Sequence, residues 1–519
     1  MSRYSGILPW AVALGLLSSV LAVAAKNMDV DMDLFHEMAL YRQMESEGKM
    51  PTTDDFAYTP TIEPVVHHEW ATGAVLYIAT VKLGWGAAGL VAIKYFLTFA
   101  VCLGCFLYAK RQGASLAVFA FLSPLALIIG GGMAFTNIRA QLFTLLFLVA
   151  LFFLLDQDRK GKRWWIVAWF PIFVGWANIH GGVVSGMGIL GAYCFARLVE
   201  SWLETKSVSQ TLKRVAHLIG VGIATLLLLN LNPYGWEYAP YLIRAIRMDR
   251  PLILEWQPIW EIKSPLLFII SVLVAACAVY FRRKGSLFEA FALALTAYLA
   301  AKHYRHGSLY AVTWACLVPG LIETTKFGDV ARQLWKKQSA FISVASLALA
   351  IVAIGYSVNV RFWELRIPSE QPAPMSRKGM FPVGPVDYLK ENQFEGNLFV
   401  PFSNGAFVQW KLYPQVKVSI DSRYEVAYPP GALEESLYFY MAKKGWQETL
   451  AKYDTNALLI PNGCNLAEEL EKDNYALAAE IEWKCVYRDR GYSLYFPNAS
   501  AGKYPFVDNR QTKVIGVFP

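Results

Sequence analysis

The chain has 519 residues, of which 55% are hydrophobic and only 17% are charged. A soluble globular protein carries about a quarter charged residues, so this composition and the positive mean hydropathy exclude that class. Much of the net charge of +8 lies in short basic clusters between apolar segments, where it sets membrane orientation, and it does not indicate nucleic-acid binding.

Eleven apolar segments occupy the first two-thirds of the chain, and each has about the length that spans a bilayer as a helix. The ninth and tenth segments are close to the lower length limit for spanning a bilayer. Lys94 lies inside the second segment, and its side chain is expected to extend toward the membrane interface. The sequence therefore predicts a mainly α polytopic membrane protein with about eleven transmembrane helices. The segments are residues 7–25, 86–109, 114–132, 139–156, 164–180, 183–203, 213–231, 265–281, 286–301, 307–322 and 338–358.

Basic clusters in every second connection predict the orientation of these segments. The positive-inside rule makes the five clusters cytoplasmic. We therefore predict a multi-pass protein of the cytoplasmic (inner) membrane whose N-terminus is cytoplasmic and whose C-terminal tail is extracytoplasmic. The first segment could instead be a signal peptide, because "AVA" before Ala25 resembles a cleavage site. The clusters are residues 110–113, 158–163, 204–214, 282–285 and 326–338.

The tail after residue 358 changes character. Short strand-like stretches, "GNLFVPF", "VKVSID", "NALLIP" and "YSLYFP", alternate with helical ones, "PVDYLKEN", "LEESLYFYMAKKGWQETLAKY" and "NLAEELEKD". Such alternation is typical of a compact α/β domain. We therefore predict a transmembrane domain over 1–358, which includes the first external loop at 26–85, and a soluble extracytoplasmic α/β domain over 359–519.

Unusual polar residues gather in the connections that this topology places outside. Ionisable groups at a membrane face are costly and usually functional. Because they come from five separate connections, they predict one site at the external face. Its candidate members are Asp31, Asp33, His36, His67, His68, Glu69, Arg139, Asn178, His180, His303, Arg305 and His306.

The acidic residues directly after the first segment have two interpretations. Carboxylates at a helix start are favoured by the helix dipole alone, which is sufficient to explain Asp29 and Asp31. Asp33, His36 and Glu37, however, share one face by helical spacing, opposite an apolar side. This pattern predicts an amphipathic helix that lies on the outer membrane surface.

The acidic and the basic candidate residues suggest different ligands for the site. Asp33, Glu69 and the histidines at 36, 67 and 68 are candidate ligands of a divalent cation, although no motif of fixed spacing supports a metal site and no other cofactor is indicated. The arginines and histidines at 139, 303, 305 and 306 are a candidate cradle for an anion or contacts for lipid headgroups.

The stretch "DVDMDLFHEMALYRQMESEGKMPTTDDFAYTPTIEPVVHHEW" resembles the first external loop of the GT-C superfamily of polytopic glycosyltransferases. It is similar to a group of bacterial membrane proteins with an Asp-x-Asp, a following His, a Pro-x-x-Asp-x-Phe-x-Tyr-Thr stretch and a terminal His-Glu-Trp. "NIHGG", which contains Asn178 and His180, and "NGAFVQWKLYPQVKVSIDSRYEVAY" also resemble that group. The matching loop residues are Asp31, Asp33, His36, Pro51, Asp54, Phe56, Tyr58, Thr59, His68, Glu69 and Trp70.

This resemblance implies an inverting glycosyltransferase that moves a sugar from a polyprenyl-phosphate donor to an acceptor hydroxyl on the extracytoplasmic face. By similarity to the protein mannosyltransferase and aminoarabinose transferase branches, Asp33 holds the position of the catalytic base and Glu69 that of a second acid. Asp31 is a rival base, because Leu34 interrupts the Asp-Glu pair of those branches. The implied partners are the lipid-linked donor, membrane lipids and a glycan, lipid or protein acceptor.

The chemistry of such a transfer fits these residue types. A carboxylate is needed to take the proton of the acceptor hydroxyl as it attacks the anomeric carbon. The departing lipid phosphate gains negative charge, which cations such as Arg139 or Arg305 stabilise.

Two other classes of protein remain as alternatives. A transporter would bind its substrate near the membrane midplane and often shows repeated halves, whereas here the ionisable residues gather at one face and no repeat is visible. A non-catalytic GT-C-like protein that acts in assembly or as a receptor has the same sequence features, since a fold does not determine a reaction.

Overall fold

The computed structural model describes residues 6–131, 135–283, 285–369, 381–472, 476–477, 481–512 and 514–519. Its contacts divide the chain into two compact units. The membrane unit contains the described residues up to Met28 together with Leu90–Glu364, and the α/β unit contains Asp29–Gly89 and Leu365–Pro519. The first external loop, which the sequence assigned to the transmembrane domain, thus belongs by its contacts to the same unit as the C-terminal residues.

Each of the eleven predicted apolar segments contains a helix that covers most of its described residues. Residue 132, the end of one predicted segment, lies outside the described part. Up to Glu364 the helices are α1 (Leu8–Ala25), α2 (Asp33–Glu47), α3 (Trp70–Tyr77), α4 (Gly86–Arg111), α5 (Leu116–Gly130), α6 (Gln141–Arg159), α7 (Trp164–Ile179), α8 (Val183–Thr205), α9 (Val208–Leu228), α10 (Tyr238–Arg247), α11 (Ile259–Ile262), α12 (Leu266–Phe281), α13 (Leu287–Lys302), α14 (Gly307–Glu323), α15 (Lys326–Lys337) and α16 (Ser339–Asn359).

The membrane unit is a bundle of apolar helices. Within the described residues, six helices are long and apolar enough to cross a membrane, namely α1, α4, α6, α8, α9 and α16. Helices α5, α7 and α12 are apolar but shorter. The protein is therefore a polytopic, mainly helical membrane protein, as the sequence predicted.

Helix α14 lies at the centre of this bundle and packs against α5, α6 and α13. Nearly all of its residues are buried, which agrees with its apolar character on every side. Polar caps determine where several neighbouring helices begin. Ser207 caps α9, which therefore starts five residues before the predicted position 213.

Lys94 in α4 does not snorkel. Its side chain is only 1% exposed, and the ammonium donates to the backbone carbonyls of Asn27, at 2.6 Å, and Thr136, at 2.7 Å. A buried ammonium needs such acceptors. Lys94 thus joins α4 to the residues that follow α1 and to the loop between α5 and α6.

A second buried polar contact, at the end of α6, explains the role of His217, the histidine that was not assigned to the predicted site. The Asp158 carboxylate accepts hydrogen bonds from Tyr193 Oη at 2.7 Å and Trp165 Nε1 at 2.9 Å. His217 Nε2 lies 2.9 Å from the same carboxylate. His217 therefore connects α9 to α6, which is a structural role.

The α/β unit contains a mixed sheet. Its strands are β1 (Gly396–Phe399), β2 (Val416–Val418), β3 (Ala457–Pro461), β4 (Ala476–Leu477), β5 (Ile481–Arg488), β6 (Tyr492–Pro497) and β7 (Val507–Asp508). The strand order is β2-β1-β3-β6-β5-β4, and β7 pairs with β5. Strand β1 is parallel to β2 and β3, whereas β6 is antiparallel to β3 and β5.

The predicted mix of C-terminal strands and helices is present, but several elements were not predicted. The four predicted strands correspond to β1, β2, β3 and β6, whereas the sequence analysis missed β4, β5, β7 and the helices at residues 405–412, 424–427 and 498–501. The predicted helix at 433–453 is two helices, because Gly445 has a left-handed φ of 88° between them. The C-terminal helices are α17 (Val383–Glu391), α18 (Gly405–Leu412), α19 (Tyr424–Ala427), α20 (Ala432–Tyr440), α21 (Trp446–Lys452), α22 (Asn465–Lys472) and α23 (Asn498–Ala501).

Helix α2 is an internal element of the α/β unit. It packs against both α3 and α18, and Glu37 on its predicted polar face is buried. The position of α2 on the outer membrane surface stays a prediction. The Phe35 ring contacts the rings of Phe381, Phe407 and Phe518 at centroid distances of 5.3, 5.1 and 6.0 Å. Aromatic packing therefore joins residues that are far apart in the sequence.

The loop after α2 extends the sheet at its β2 edge. Ala57 forms a parallel β-bridge with Val418. The Tyr58 N–H donates to the Val418 carbonyl at 3.1 Å, and the Val418 N–H donates to the Phe56 carbonyl at 3.0 Å. These bonds satisfy part of the edge strand and explain why residues 29–89 belong to this unit.

Substitution Phe35→Ala tests this packing. We expect it to lower the stability of the α/β unit by about 3–5 kcal/mol, because it leaves a cavity among three aromatic rings. The matched control is Phe506→Ala, whose ring is 60% exposed. The measurement is thermal unfolding of the purified protein, and equal melting shifts for the two variants would contradict the prediction.

Candidate functional site

An acidic cluster surrounds Glu37 in the α/β unit. Glu37 is 2% exposed, and its carboxyl group is hydrogen-bonded to Glu69. Burial raises the pKa of Glu37 well above its ordinary value, and the negative charges of Glu69, Asp33 and Asp31 raise it further. These effects favour the protonated form of Glu37, which shares a hydrogen bond with an acidic partner.

Close packing of α2 against α3 brings these acids together. A Cβ atom at Gly73 would lie 2.2 Å from the Glu37 carbonyl oxygen, so the two helices approach as closely as they do only with glycine there. Glu69 lies one turn before Gly73, directly before the start of α3. Helix α2 and a long loop lie between Asp33 and Glu69 in the sequence. The fold nevertheless places both acids within electrostatic reach of Glu37.

The three alternating aspartates after α1 have different partners. Asp29 forms an ion pair with Arg366 at 3.0 Å. Asp31 is buried, and its Oδ1 accepts the Asp33 N–H at 3.2 Å, at the start of α2. Asp33 is half-buried in the first turn of α2, where the helix dipole favours its charged form. Asp29 thus has a structural contact, whereas Asp31 and Asp33 belong to the acidic cluster.

Two of the candidate histidines are held neutral beside this cluster. Burial lowers the pKa of His36 to about 4, although the charge of Asp421 partly opposes the shift. Burial, with the charge of Arg423, lowers the pKa of His67 well below its ordinary value. His36 Nδ1 lies 3.1 Å from the Ser422 hydroxyl. Both imidazoles therefore act as neutral hydrogen-bonding groups at pH 7.

The third histidine of the loop contacts the acidic cluster directly. His68 Nε2 lies 3.2 Å from Glu69 Oε1, and both side chains are half-buried. In the part of the chain that the structure describes, no three His, Cys, Asp or Glu side chains are arranged to hold a metal ion. A divalent cation at these residues stays a prediction.

A buried ion network supports the histidines. The Arg423 guanidinium donates to Asp421 through Nε at 2.8 Å and through Nη2 at 2.6 Å, and it also pairs with Asp54. The Tyr428 hydroxyl donates to Asp421 at 2.7 Å. Burial opposes ionisation of Asp421, but the guanidinium holds the pKa of this carboxyl at about 2. All three charged side chains have 1% or less of their surface exposed.

This network joins two of the stretches that carry the family resemblance. Asp54 comes from the first loop, and its Oδ1 also accepts the backbone N–H groups of Phe56 and Ala57 at 2.9 and 2.7 Å. Asp421 and Arg423 come from "VKVSIDSRYE" in the tail. The sequence resemblance covers both stretches but does not reveal this ion pair. Its only signals are an acid in the first loop and an Asp-x-Arg in the tail.

The membrane unit contains a separate charged cluster. Arg139 Nη1 lies 2.8 Å from one carboxylate oxygen of Glu255, and Arg305 Nη1 lies 3.0 Å from the other. The sequence predicted these two arginines as an anion cradle but missed Glu255, which lies in the long connection between α9 and α12. The anion that the arginines hold in this structure is a side chain of the protein itself.

Trp256 and the histidines at 303 and 306 complete this cluster. The Arg250 and Arg305 guanidinium groups lie over the Trp256 ring at 4.1 and 4.6 Å. His303 Nδ1 is 2.6 Å from the Trp256 carbonyl oxygen. The His306 ring lies 5.5 Å from the His303 ring. Three of the predicted connections thus meet in the membrane unit.

The "NIHGG" residues have well-defined local partners. His180 Nδ1 accepts the Gly182 N–H at 3.0 Å and lies 2.7 Å from the Thr144 hydroxyl. A Cβ atom at residue 182 would lie 2.4 Å from that nitrogen, which excludes a larger residue. Asn178 donates to the Val174 and Leu231 carbonyls at 2.8 and 3.0 Å. The structure thus places the predicted residues in clusters within each unit, and their union in one site stays a prediction.

No protein-family model matches the sequence, and no curated protein matches it. The structure is similar to the Archaeoglobus fulgidus oligosaccharyltransferase in its apo form, with a TM-score of 0.53 and 12% sequence identity over 87% of this chain and 69% of that chain. It is also similar to ArnT from Cupriavidus metallidurans bound to undecaprenyl phosphate, with a TM-score of 0.49 and 12% identity over 96% of this chain and 99% of that chain. The chain therefore has a membrane-protein fold like that of the oligosaccharyltransferase, which agrees with the GT-C resemblance of the sequence.

Substitution Arg423→Met tests the buried network. It leaves two buried carboxylates without their cation, and we expect it to destabilise the protein by about 3–5 kcal/mol. The control is Arg510→Met, which removes a 2.6 Å pair with Asp508 whose arginine is 57% exposed and which we expect to cost about 0–1 kcal/mol. Thermal unfolding measures both, and a control that loses as much stability as Arg423→Met would argue against the network.

Substitution Glu37→Gln tests the protonation of the acidic cluster. Stabilisation by neutral Glu37 is fully present below the ordinary carboxyl pKa of about 4.3 and is lost as the pH rises toward the raised pKa of the folded state. Glutamine stays neutral at every pH. We therefore expect the melting temperature of the variant relative to wild type to increase from pH 5 to pH 9.

The control for this comparison is Glu391→Gln, which changes an exposed acid of α17 in the same unit. Its melting temperature relative to wild type should not vary with pH. A constant difference for Glu37→Gln over the same range would show that Glu37 is ionised in the folded protein.

Proposed function

We propose that this protein is a GT-C-type glycosyltransferase that moves a sugar, with inversion, from a polyprenyl-phosphate carrier to an acceptor hydroxyl on the extracytoplasmic face of the inner membrane. The observation that carries the proposal is the acidic cluster around Glu37. Asp31, Asp33 and Glu69 are the acids that the sequence resemblance singled out, and all three raise the pKa of this one buried carboxyl. The fold itself supports a GT-C-like protein, and the reaction is our inference.

Asp33 is the preferred base. The raised pKa of Glu37 reduces the negative charge beside Asp33, and the first turn of α2, where Asp33 lies, is a favourable position for a carboxylate. In the proposed step its carboxylate takes the proton of the acceptor hydroxyl while the oxygen attacks the anomeric carbon. The bond from that carbon to the carrier phosphate breaks, and the polyprenyl phosphate leaves with the electron pair.

The arginines of the membrane unit are the proposed contacts of the donor phosphate. Planar guanidinium groups bind phosphate oxygens with paired hydrogen bonds. Arg139 and Arg305 are held with only 19–20% of their side-chain surfaces exposed, so water screens their charge less than at an open surface. Such cations stabilise the charge that develops on a departing phosphate.

Substitution Asp33→Asn tests the proposed base. We expect loss of a general base to lower sugar transfer by about 10²–10⁴-fold. The measurement is release of polyprenyl phosphate from a panel of polyprenyl-phosphate sugars, added to membranes that contain the protein. The matched control is Asp29→Asn in the same stretch, because Asp29 pairs with Arg366, and it should retain activity.

Binding of undecaprenyl phosphate to the purified protein tests the donor independently of the acceptor. We expect Asp33→Asn to retain binding and Arg305→Ala to lose it, since one removes the base and the other a phosphate contact. Failure of the wild-type protein to bind would remove the lipid-phosphate donor and favour the non-catalytic assembly or receptor protein.

A further inference from the structure

We propose that Glu255 is an internal substitute for the donor phosphate, held in the anion site of Arg139 and Arg305 until a lipid phosphate exchanges with it. The inference rests on the proposed function, because it takes the incoming ligand to be the phosphate of a polyprenyl carrier. It adds a residue that the sequence did not single out and a step that precedes donor binding.

The geometry around Glu255 is that of a bound anion. Its two carboxylate oxygens each face a different guanidinium group, at 2.8 Å from Arg139 and 3.0 Å from Arg305. A phosphate group likewise presents several oxygens to more than one arginine. The three side chains keep 17–20% of their surfaces exposed, so a lipid headgroup can reach the pair.

Contacts other than Glu255 hold Arg305 in place. Gln141 Nε2 donates to the Arg305 carbonyl at 2.9 Å and to the Ser308 hydroxyl at 3.0 Å. The Arg305 guanidinium also lies 4.6 Å from the centre of the Trp256 ring. An incoming phosphate therefore meets an Arg305 that needs little rearrangement, which favours binding.

Glu255 can leave this site by rotation of its side chain alone. The backbone on its C-terminal side is anchored, because the Trp256 carbonyl contacts His303 Nδ1 at 2.6 Å and the Gln257 carbonyl accepts the Tyr304 N–H at 2.9 Å. The exchange thus replaces the Glu255 carboxylate by one phosphate group, while the backbone of the segment between α9 and α12 stays in place.

The local charge favours the exchange. Arg250 also lies over the Trp256 ring, at 4.1 Å, so a third guanidinium group lies in the cluster that contains the Arg139–Glu255–Arg305 pairs. A phosphate carries at least the same charge and offers more acceptor oxygens. Without a ligand, however, Glu255 prevents repulsion between neighbouring arginines and disfavours weaker anions.

Occupancy by Glu255 has a measurable consequence. A ligand that binds only the fraction of molecules with an open site has its apparent dissociation constant raised by the inverse of that fraction. If Glu255 occupies the site in about nine molecules of ten, removal of its carboxylate tightens ligand binding by about tenfold.

The experiment measures binding of undecaprenyl phosphate to the full-length protein in lipid nanodiscs. We expect Glu255→Gln to bind about tenfold more tightly than wild type. Glu255→Asp keeps the charge but is too short to reach both arginines, so it should also bind more tightly, by a smaller factor. Glu261→Gln, which changes an exposed acid of α11, is the matched control and should equal wild type.

Thermal unfolding and inorganic phosphate serve as additional measurements. Glu255→Gln leaves the two arginines without their anion, so its melting temperature should fall and should recover when undecaprenyl phosphate is added. Competition by inorganic phosphate at the same concentration shows whether the site recognises phosphate alone or requires the lipid.

The outcomes separate this inference from the proposed function. If wild type binds the lipid and Glu255→Gln binds no better, Glu255 does not occupy the site and the inference is wrong, while the donor assignment stands. Tighter binding by Glu255→Gln with no change in Glu255→Asp would indicate simple charge repulsion and would also overturn it. Absence of binding by wild type and by every variant would remove the proposed donor itself.

Discussion

The buried guanidinium of Arg423 is the contact on which the rest of the α/β unit depends. It joins Asp421 in the tail to Asp54, which lies 369 residues before Arg423 in the sequence. A buried ion pair is strongly destabilised when one partner is lost, so this contact requires the first loop to stay on the sheet. The loop in turn carries the β-bridge to Val418, α2 and α3.

Burial and neighbouring charges shift the pKa values of the candidate residues in this unit. The positive charge of Arg423 adds to burial in lowering the pKa of His67, while burial and neighbouring acids raise the pKa of Glu37. Asp421 stays ionised because its cation is in contact with it. Similar side chains in one small region thus have different protonation states, and such differences allow neighbouring acids to take different chemical roles.

Local patterns predicted most of the fold, because hydrophobic length and strand alternation are properties of short segments. The eleven apolar segments are helices, and four strands lie where the sequence placed them. Strand β5 was missed because "IEWKCVYR" mixes charged and apolar residues. Helix α2 was predicted, but its pattern of acids and apolar residues does not reveal that it packs against α18.

For the candidate site, too, local sequence predicted some features and only the tertiary structure revealed the others. From the sequence alone came the membrane class, the helix positions and the acids at 31, 33 and 69, because apolar length and residue type are local. Only the tertiary structure revealed that Glu37 lies among those acids, that Arg423 holds the loop to the sheet, and that Glu255 bridges two arginines. Ion pairs and pKa shifts depend on distances across the fold, and spacing along the chain does not encode them.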